Sequence, residues 1–259
     1  MSSCSKLWSN PVMDFAGFVR QQSALWYATL GQDAGAPGPL SATGLEPAGT
    51  LLLVAPHPDD ECLMSGFALR AREEWGTRVI VLPYSYGSRM ERRPERQEEL
   101  KRAIACLGFE LFDPRENPRL EELSPSDLAR SLSVCAPDAV LFPHAGDGHP
   151  AHIRCSRLVS EGVTLWANAS RKRVHLYETA YWQDLPDPNL MVELASDHVI
   201  RMGTSLLEHR GEVERNPYHL SLPAHLIDSR RKGVERVSGM GSRAGSGLFA
   251  QLLRHSVMN

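Results

Sequence analysis

Cysteine is scarce in this sequence, with five residues among 259. The cysteines are odd in number, lie far apart and include no C-x-x-C pair. A disulfide framework or a thiolate zinc site requires paired or regularly spaced cysteines, so the spacing argues against both. We expect reduced and mostly buried thiols at the five positions, which are Cys4, Cys62, Cys106, Cys135 and Cys155.

The sequence also lacks a long apolar run and an excess of charge of one sign. No stretch approaches the roughly 20 apolar residues of a membrane span, and no basic region followed by an apolar run and a cleavage site opens the chain. The formal net charge is only −3, with acidic and basic residues mixed, so no charged field would attract nucleic acid or an anionic membrane. We therefore expect a cytoplasmic protein with no nucleic-acid partner and no integral membrane segment, and the oligomeric state stays open.

What the sequence does contain is an alternation of predicted strands and helices from residue 50 onward. Residues 51–55, LLLVA, form a continuous apolar run typical of a strand buried on both faces of a parallel sheet. Further strands are predicted at 78–83, 109–112, 139–142 and 174–177, with helices at 63–75, 94–107, from 125 onward and at 151–165. The alternation predicts an α/β protein with a Rossmann-like, doubly wound and mostly parallel sheet.

The N-terminal part of the chain has a different composition. Pro11 opens a helical pattern that runs to about Leu30, and a Gly/Pro/Ala-rich stretch follows it. We predict a helical arm and linker over residues 1–49 and a single domain over residues 50–259.

The C-terminal part is harder to interpret. After about Tyr181 the alternation loosens into proline-interrupted pieces, and the end of the chain after Gly239 is rich in glycine and serine. One helix is predicted there, near residues 203–210.

Two groups of titratable residues directly follow predicted strands, where the ligands of such sheets bind. The first, PHPDDE at 56–61, places one histidine beside three carboxylates, and carboxylates this close repel each other unless a cation or a proton lies between them. The second, PHAGDGHPAH at 143–152, has three histidines within nine residues. Alone, the first group is also compatible with a solvated loop whose acidic residues cap a helix, and each histidine of the second with a hydrogen-bonded loop residue. Together they favour a metal site.

The chemistry of zinc fits these residue types. Catalytic zinc commonly has three protein ligands, and two histidines with one carboxylate are one known set, with water in the fourth position. One histidine and one aspartate of the first group, with one histidine of the second, would complete that set.

The two motifs HPDDE (57–61) and GHPxH (148–152) resemble those of the PIG-L/LmbE family of zinc-dependent N-acetylglucosaminyl deacetylases. The likeness extends from about Leu51 to Glu235, whereas residues 1–50 match no family pattern. Three weaker fragments are similar to family patterns as well, namely RxxExxxAxxxLG at 96–108, Leu206-x-x-His209 and Arg230-x-x-Gly233.

This resemblance implies a zinc-dependent hydrolase that removes an N-acetyl group from a glucosamine-type sugar or glycoconjugate, a small-molecule substrate. It implies that His57, Asp60 and His152 bind Zn²⁺. It also assigns the general base to Asp59 and the second catalytic group to His149. Zinc lowers the pKa of bound water to about 7, so that a neighbouring carboxylate suffices to take the proton as water attacks the amide.

One position departs from the family pattern. The family has an aspartate between the proline and the last histidine of the second motif, whereas this chain has Ala151. The aspartate supports the catalytic histidine, which here is His149, and an imidazole without such a partner loses its fixed orientation. Asp147 is the residue in this loop that could take its place.

Candidates for substrate contacts come from the loops after the strands. Arg96 precedes the third predicted strand, and the run after that strand offers two acidic residues that could bind a sugar. A pair of aromatic residues after the fifth strand could form an apolar sugar platform, although aromatics there more often pack. The candidates are Arg96, Asp113, Glu116 and Asp147, with Tyr181 and Trp182 as the aromatic pair.

Two alternatives to this function stay open. The same machinery could hydrolyse a different N-acyl conjugate, since substrate choice depends on variable loops. The chain could also be a catalytically silent sugar-binding relative, against which the retained Asp59 argues. A nucleotide-binding Rossmann enzyme is disfavoured because no Gly-x-Gly-x-x-Gly turn follows the first strand.

Overall fold

The computed structural model describes residues 11–30, 37–115, 122–180, 182–242 and 245–259. Within these residues a seven-stranded sheet forms the centre of the molecule. Its strands are β1 (Thr50–Ala55), β2 (Arg78–Pro83), β3 (Glu110–Leu111), β4 (Ala139–Pro143), β5 (Val174–Thr179), β6 (Leu190–Leu194) and β7 (Phe249–Met258).

The strand order is β3-β2-β1-β4-β5-β7-β6. Strands β1 to β5 pair in parallel, and β7 is antiparallel to both of its neighbours. Helices cover the sheet, and apolar side chains fill a core on each of its faces. The prediction of a single-domain α/β fold with a mostly parallel sheet is therefore confirmed.

The functional end of the sheet follows from this order. The chain runs outward from β1 to β2 and β3, then returns to place β4 on the other side of β1, with Leu51 opposite Ala139 and Leu53 opposite Leu141. In open α/β sheets this reversal of direction opens a crevice at the carboxyl ends of the two strands. The loops that follow Ala55 and Pro143 therefore meet there.

The described helices flank this sheet, and none of them is long and apolar enough to cross a membrane. The helix predicted at 63–75 is divided at Ser65 into two helices. The helix predicted at 94–107 begins one residue earlier and ends at Gly108, whose φ of 72° suits glycine. The helices are α1 (Pro11–Leu30), α2 (Asp60–Met64), α3 (Gly66–Trp75), α4 (Arg93–Leu107), α5 (Pro125–Cys135), α6 (Pro150–Ser170), α7 (Ser196–Leu206), α8 (Arg210–Arg215) and α9 (Tyr218–Arg236).

The prediction of a helix near residues 203–210 is wrong. Helix α7 ends at Leu206 and α8 begins at Arg210, so the predicted span contains a break. The imidazole of His209, which lies in the break, is fully buried against Glu61. A long-range contact of this kind overrides the local helical pattern.

The glycine- and serine-rich end is also more regular than the sequence indicates. Strand β7 lies inside the sheet between β5 and β6. Helix α9 continues through Pro223, although proline usually ends or bends a helix. Propensity is a weak guide where tertiary packing decides the structure.

Helix α1 is docked on the body of the protein through Phe15. The Phe15 side chain is only 2% exposed, and a β-carbon at Gly203 on α7 would collide with its ring. Ser23 on α1 forms a 2.7 Å hydrogen bond with Ser196 at the start of α7. The helix therefore packs against α7 and does not extend from the surface.

We expect Phe15→Ala to lower the free energy of unfolding by about 3 kcal/mol, because it leaves a cavity between α1 and α7. Urea denaturation followed by circular dichroism measures the change. Phe18, on the same helix, is 40% exposed, so Phe18→Ala is the matched control and should change stability by no more than about 0.5 kcal/mol. Equal effects of the two substitutions would contradict the docking of α1 through Phe15.

Candidate active site

The loop after β1 carries three acidic residues whose side chains are almost fully buried. Asp59 is 7% exposed, Asp60 is 5% exposed and Glu61 is fully buried. Buried carboxylates are costly unless hydrogen bonds or positive charges compensate them. Each of the three has a different set of partners.

Asp60 lies between the two histidines predicted to share a metal with it. Its Oδ2 atom is 3.4 Å from His57 Nδ1 and 3.3 Å from His152 Nε2. Two ligand atoms bound tetrahedrally at about 2.0–2.1 Å from zinc are about 3.4 Å apart. Each of the two distances to Asp60 is therefore compatible with a pair of ligand atoms on one zinc ion.

The electrostatics of this group favour a cation. Burial alone would lower the pKa of His152, but Asp60 and Asp147 outweigh it and raise the pKa to about 10. Burial likewise opposes ionisation of Asp60, yet His152 and His57 hold the pKa of its carboxyl far below the usual range. The two carboxylates therefore stabilise positive charge on His152, and the two histidines stabilise the negative charge of Asp60.

Asp147 supports His152 from the side opposite Asp60. Its Oδ1 atom lies 3.4 Å from His152 Nδ1 and accepts the amide proton of His149 at 3.0 Å. Metal-binding histidines commonly direct their second nitrogen at a carboxylate in this way. Asp147 is 1% exposed and is not among the residues that line the cavity, and its predicted contact with substrate stays a prediction.

His149 caps α6 and faces the same space as the two other histidines. Its Nδ1 accepts the amide proton of Ala151 at 3.3 Å, and its ring centre is 5.0 Å from that of His152. Nitrogens of His57, His149 and His152 lie within 4.8 Å of one another, so three histidines are the geometrical alternative to a ligand set with Asp60. His144, the remaining histidine of the second motif, is buried and contacts Gln183 O at 3.2 Å.

Asp59 adopts a backbone conformation that is rare for a residue other than glycine, with φ 116° and ψ −34°. Such conformations cost about 1–3 kcal/mol and cluster at functional sites. Arg96 holds the loop by donating to Pro58 O at 2.8 Å, and its Nη2 atom is 3.7 Å from Asp59 Oδ1. Burial and the charge of Asp60 raise the pKa of the Asp59 carboxyl well above its usual range, against the effect of Arg96.

Glu61 faces away from the cavity and binds three donors. One oxygen accepts the amide proton of Asp59 at 2.8 Å, and the other contacts His209 Nε2 at 2.6 Å and accepts from Cys62 Sγ at 3.2 Å. Glu61, Cys62 and His209 could in principle bind a second metal ion. A separation of 2.6 Å is too short for two tetrahedral ligands of zinc and is that of a charge-assisted hydrogen bond.

A cavity of about 370 Å³ lies over Asp59 and the histidines. Trp182, which is 47% exposed, stacks on His149 at 6.3 Å between ring centres, and Tyr218 meets its ring edge-on. The cavity is lined by His57, Asp59, Asp60, Leu63, Gly87, Ser88, Arg96, His149, His152, Trp182, Glu212, Arg215 and Tyr218.

The sequence analysis does not predict six of these lining residues, and three of the six come from the C-terminal helices. Glu212, Arg215 and Tyr218 come from α8 and the start of α9. Glu212 is buried and pairs with Arg215, and its Oε1 atom is 3.7 Å from Arg96 Nη2. The family-like fragment Leu206-x-x-His209 is the only local signal that this region contributes to the site.

The structure places the candidates for substrate contacts at different positions relative to the cavity. Arg96 lines the cavity. Asp113 does not, because its carboxylate is bound to Arg115 at 2.7 Å and to Tyr86 Oη at 3.4 Å. Glu116 and Tyr181 lie outside the described residues.

The sequence and the fold were compared with those of known proteins. Residues 52–163, which include both motif loops, match the family model PIG-L, described as GlcNAc-PI de-N-acetylase. No curated protein matches the sequence.

Several solved structures share the fold. N,N'-diacetylchitobiose deacetylase from Pyrococcus horikoshii is 18% identical with a TM-score of 0.59, and the match covers 92% of each chain. The A40926 pseudoaglycone deacetylase Dbv21 is 19% identical with a TM-score of 0.56, covering 81% of this chain and 97% of that one. The 4-carboxy-2-hydroxymuconate hydratase GalB from Pseudomonas putida KT2440 is 17% identical with a TM-score of 0.59, covering 80% and 95%.

The hydratase shows that the fold alone does not select a reaction, so the resemblance to a deacetylase family depends on the sequence match as well. That match spans the segment in which the HPDDE and GHPxH motifs lie. The predicted resemblance to the PIG-L/LmbE deacetylase family is therefore confirmed, by the family model over residues 52–163 and by the LmbE-like fold of the chain.

Proposed function

We propose that this protein is a zinc-dependent hydrolase that removes an N-acetyl group from a glucosamine-type sugar or glycoconjugate. The main support is the position of Asp60 Oδ2, 3.4 Å from His57 Nδ1 and 3.3 Å from His152 Nε2, at the base of a cavity that Asp59 also lines. The family model and the two deacetylase neighbours support the reaction class.

His57, Asp60 and His152 would hold the metal. A bound zinc ion supplies a Lewis acid, which polarises the acetyl carbonyl and acidifies water. The remaining steps require a group that accepts a proton and a group that stabilises negative charge on the carbonyl oxygen. Two side chains of the cavity have these properties.

Asp59 is the proton acceptor. Its carboxylate takes a proton from the water that attacks the carbonyl carbon, and its raised pKa makes it a stronger base than an exposed aspartate. When the carbon–nitrogen bond breaks, the same carboxyl returns the proton to the departing amine. The products are acetate and the free amino sugar.

His149 stabilises the carbonyl oxygen. Because its Nδ1 accepts the amide proton of Ala151, the proton of the neutral ring lies on Nε2, which can donate to the oxygen as negative charge develops. Protonation of Nδ1 would break its contact with the Ala151 amide, and the resulting cation would donate from Nε2 more strongly.

The other residues that line the cavity suit a sugar. Trp182 and Tyr218 offer apolar ring surface for the carbon face of a pyranose. Arg96, Glu212 and Arg215 offer hydrogen-bonding groups for hydroxyls at the same cavity. This combination supports an amino sugar over a purely apolar acyl conjugate.

A substrate panel tests the proposed function. Zinc-loaded protein is incubated with N-acetylglucosamine, N,N'-diacetylchitobiose and N-acetylglucosaminyl glycosides, and acetate and free amine are both measured. We expect equal amounts of the two products from at least one substrate. Binding without release of either product, in protein shown to contain zinc, would favour a silent sugar-binding relative.

We expect Ala151→Asp to move the alkaline limit of kcat to higher pH. Burial lowers the pKa of His149, and the neighbouring His152 and His57 lower it further, so the more strongly donating cation is lost early as the pH rises. A carboxylate beside the ring favours the cation, and each 1.36 kcal/mol gained raises the pKa by about one unit. Ala151 is buried in the first turn of α6, where negative charge is favourable, so the folding of each variant is first checked by circular dichroism.

The control for this substitution is Ala151→Asn, which has the same shape without the charge. The pH profile of kcat is measured for both variants on the substrate that the panel identifies. Identical profiles for Ala151→Asp and Ala151→Asn would contradict the view that His149 lacks a carboxylate partner.

A further inference from the structure

We propose that His209 is a positioning residue for Asp59, acting through the carboxylate of Glu61. This inference rests on the proposed function, in which Asp59 is the proton acceptor. It concerns a residue 148 positions away from Glu61 along the chain, so neither motif contains it.

The backbone of Asp59 has an unusual conformation. A residue with a side chain and φ 116° needs contacts that hold it, since it would otherwise relax to an ordinary conformation. Its amide proton is bound by Glu61 Oε2 at 2.8 Å, and its carbonyl accepts the amide proton of Cys62 at 3.1 Å. The Glu61 carboxylate thus holds the amide of Asp59, and the direction of the Asp59 side chain depends on it.

The carboxylate of Glu61 is held by other buried side chains. Its side chain has no exposed surface, so water cannot satisfy the carboxylate. Its second oxygen is bound by His209 Nε2 at 2.6 Å, and the Cys62 thiol adds a weaker donor at 3.2 Å. His209 is therefore the strongest side-chain donor to Glu61 among the described residues.

His209 is fixed by burial and by its backbone hydrogen bonds. Its imidazole is fully buried, and its Nδ1 atom has no hydrogen-bond partner among the described residues. Its carbonyl accepts the amide protons of Glu212 and Val213 at 3.0 Å each, so its backbone forms the start of α8. An imidazole that is enclosed by the core and attached to an anchored backbone can orient a carboxylate, which is what a positioning residue requires.

Hydrogen exchange of the Asp59 amide tests the first link without any substrate. In the zinc-loaded protein this amide should exchange slowly, as that of Leu53 in the central strand does. His209→Leu removes the N–H donor and keeps an apolar side chain, and it should speed exchange at Asp59 while leaving Leu53 unchanged. His209→Gln restores a donor and should recover most of the protection.

Two results would overturn the inference here. One is an Asp59 amide that exchanges rapidly in the wild-type protein, a measurement that stands even if His209→Leu does not fold. The other is a folded His209→Leu variant in which Asp59 is as protected as before.

Kinetics test the second link. His209→Leu should lower kcat about 10-fold to 100-fold with little change in KM, as loss of a supporting contact commonly does, and His209→Gln should recover most of the rate. In an Asp59→Asn background, His209→Leu should cause no further loss, because the carboxylate that it positions is already absent. An equal loss in both backgrounds would show a general structural role and contradict positioning.

The two measurements also separate this inference from the proposed function. If the protein hydrolyses no acylated sugar, the kinetic measurements fail, yet the exchange rates still report on the contact between His209 and Asp59.

Discussion

Asp59→Asn is expected to lower kcat by a factor on the order of 10² to 10⁴ while the protein retains its zinc, the usual contribution of general acid–base catalysis. Asparagine keeps the shape of the side chain and removes its basicity. The Asp59 carboxylate lines the cavity beside Asp60 without belonging to the proposed ligand set. Release of acetate and elemental analysis of the same preparations measure the two quantities.

The substitution should not impair folding. Burial and the charge of Asp60 raise the pKa of Asp59, so its ionised form is less favourable in the folded protein than in the unfolded chain. The neutral asparagine therefore has no ionisation penalty at neutral pH. The control is the midpoint of thermal unfolding, which should be equal in the variant and the parent or higher in the variant. Unchanged kcat on a confirmed substrate would remove Asp59 from the mechanism.

Replacement of any one of the three proposed ligands is expected to abolish both zinc binding and activity. The parent protein should contain about one zinc ion per chain, bound by His57, Asp60 and His152. Each alanine variant lacks one of three ligand atoms, of which Asp60 Oδ2 lies within 3.4 Å of the nearest nitrogen of each histidine. The two ligands that remain are too few to hold zinc. Elemental analysis after dialysis measures the loss, and amine release should fall to background.

His175→Ala provides the matched control for these variants. His175 is half-buried on β5 and bonds His255 at 2.9 Å, away from the cavity, so zinc content should not change. His149→Ala distinguishes the two geometrical ligand sets, because it should lower kcat and leave zinc in place. Full zinc content in His57→Ala, Asp60→Ala and His152→Ala would rule out the proposed set, and loss of zinc in His149→Ala would favour three histidines.

The first strand and the loop that follows it illustrate what could be predicted locally. An uninterrupted apolar run predicts a strand buried on both faces, and β1 covers Thr50–Ala55 as expected. Helix α5 begins at Pro125 as predicted, and Ser124 and Asp127 form a capping box at its start. These features depend on neighbours within a few residues, so the sequence contains all the information that they need.

The site could be predicted only in part. The two motifs were expected to meet because each follows a strand, and the structure brings His57, Asp60 and His152 together at adjacent strand ends. The roles of these residues remain predictions that the experiments above test. The direction of Asp147 towards His152, away from the cavity, was not predictable from its position in the motif.

The fold class, the parallel strands and the residue types at the site follow from periodicity and motif spacing, which are local properties of the chain. In contrast, the packing of α8 and α9 against the cavity and the contact between His209 and Glu61 exist only in the folded domain. Both depend on segments about 150 residues apart along the chain being packed together. Such contacts form when distant segments pack into one core. A buried polar group such as the Glu61 carboxylate needs a partner there, and this requirement outweighs the local helical pattern around His209.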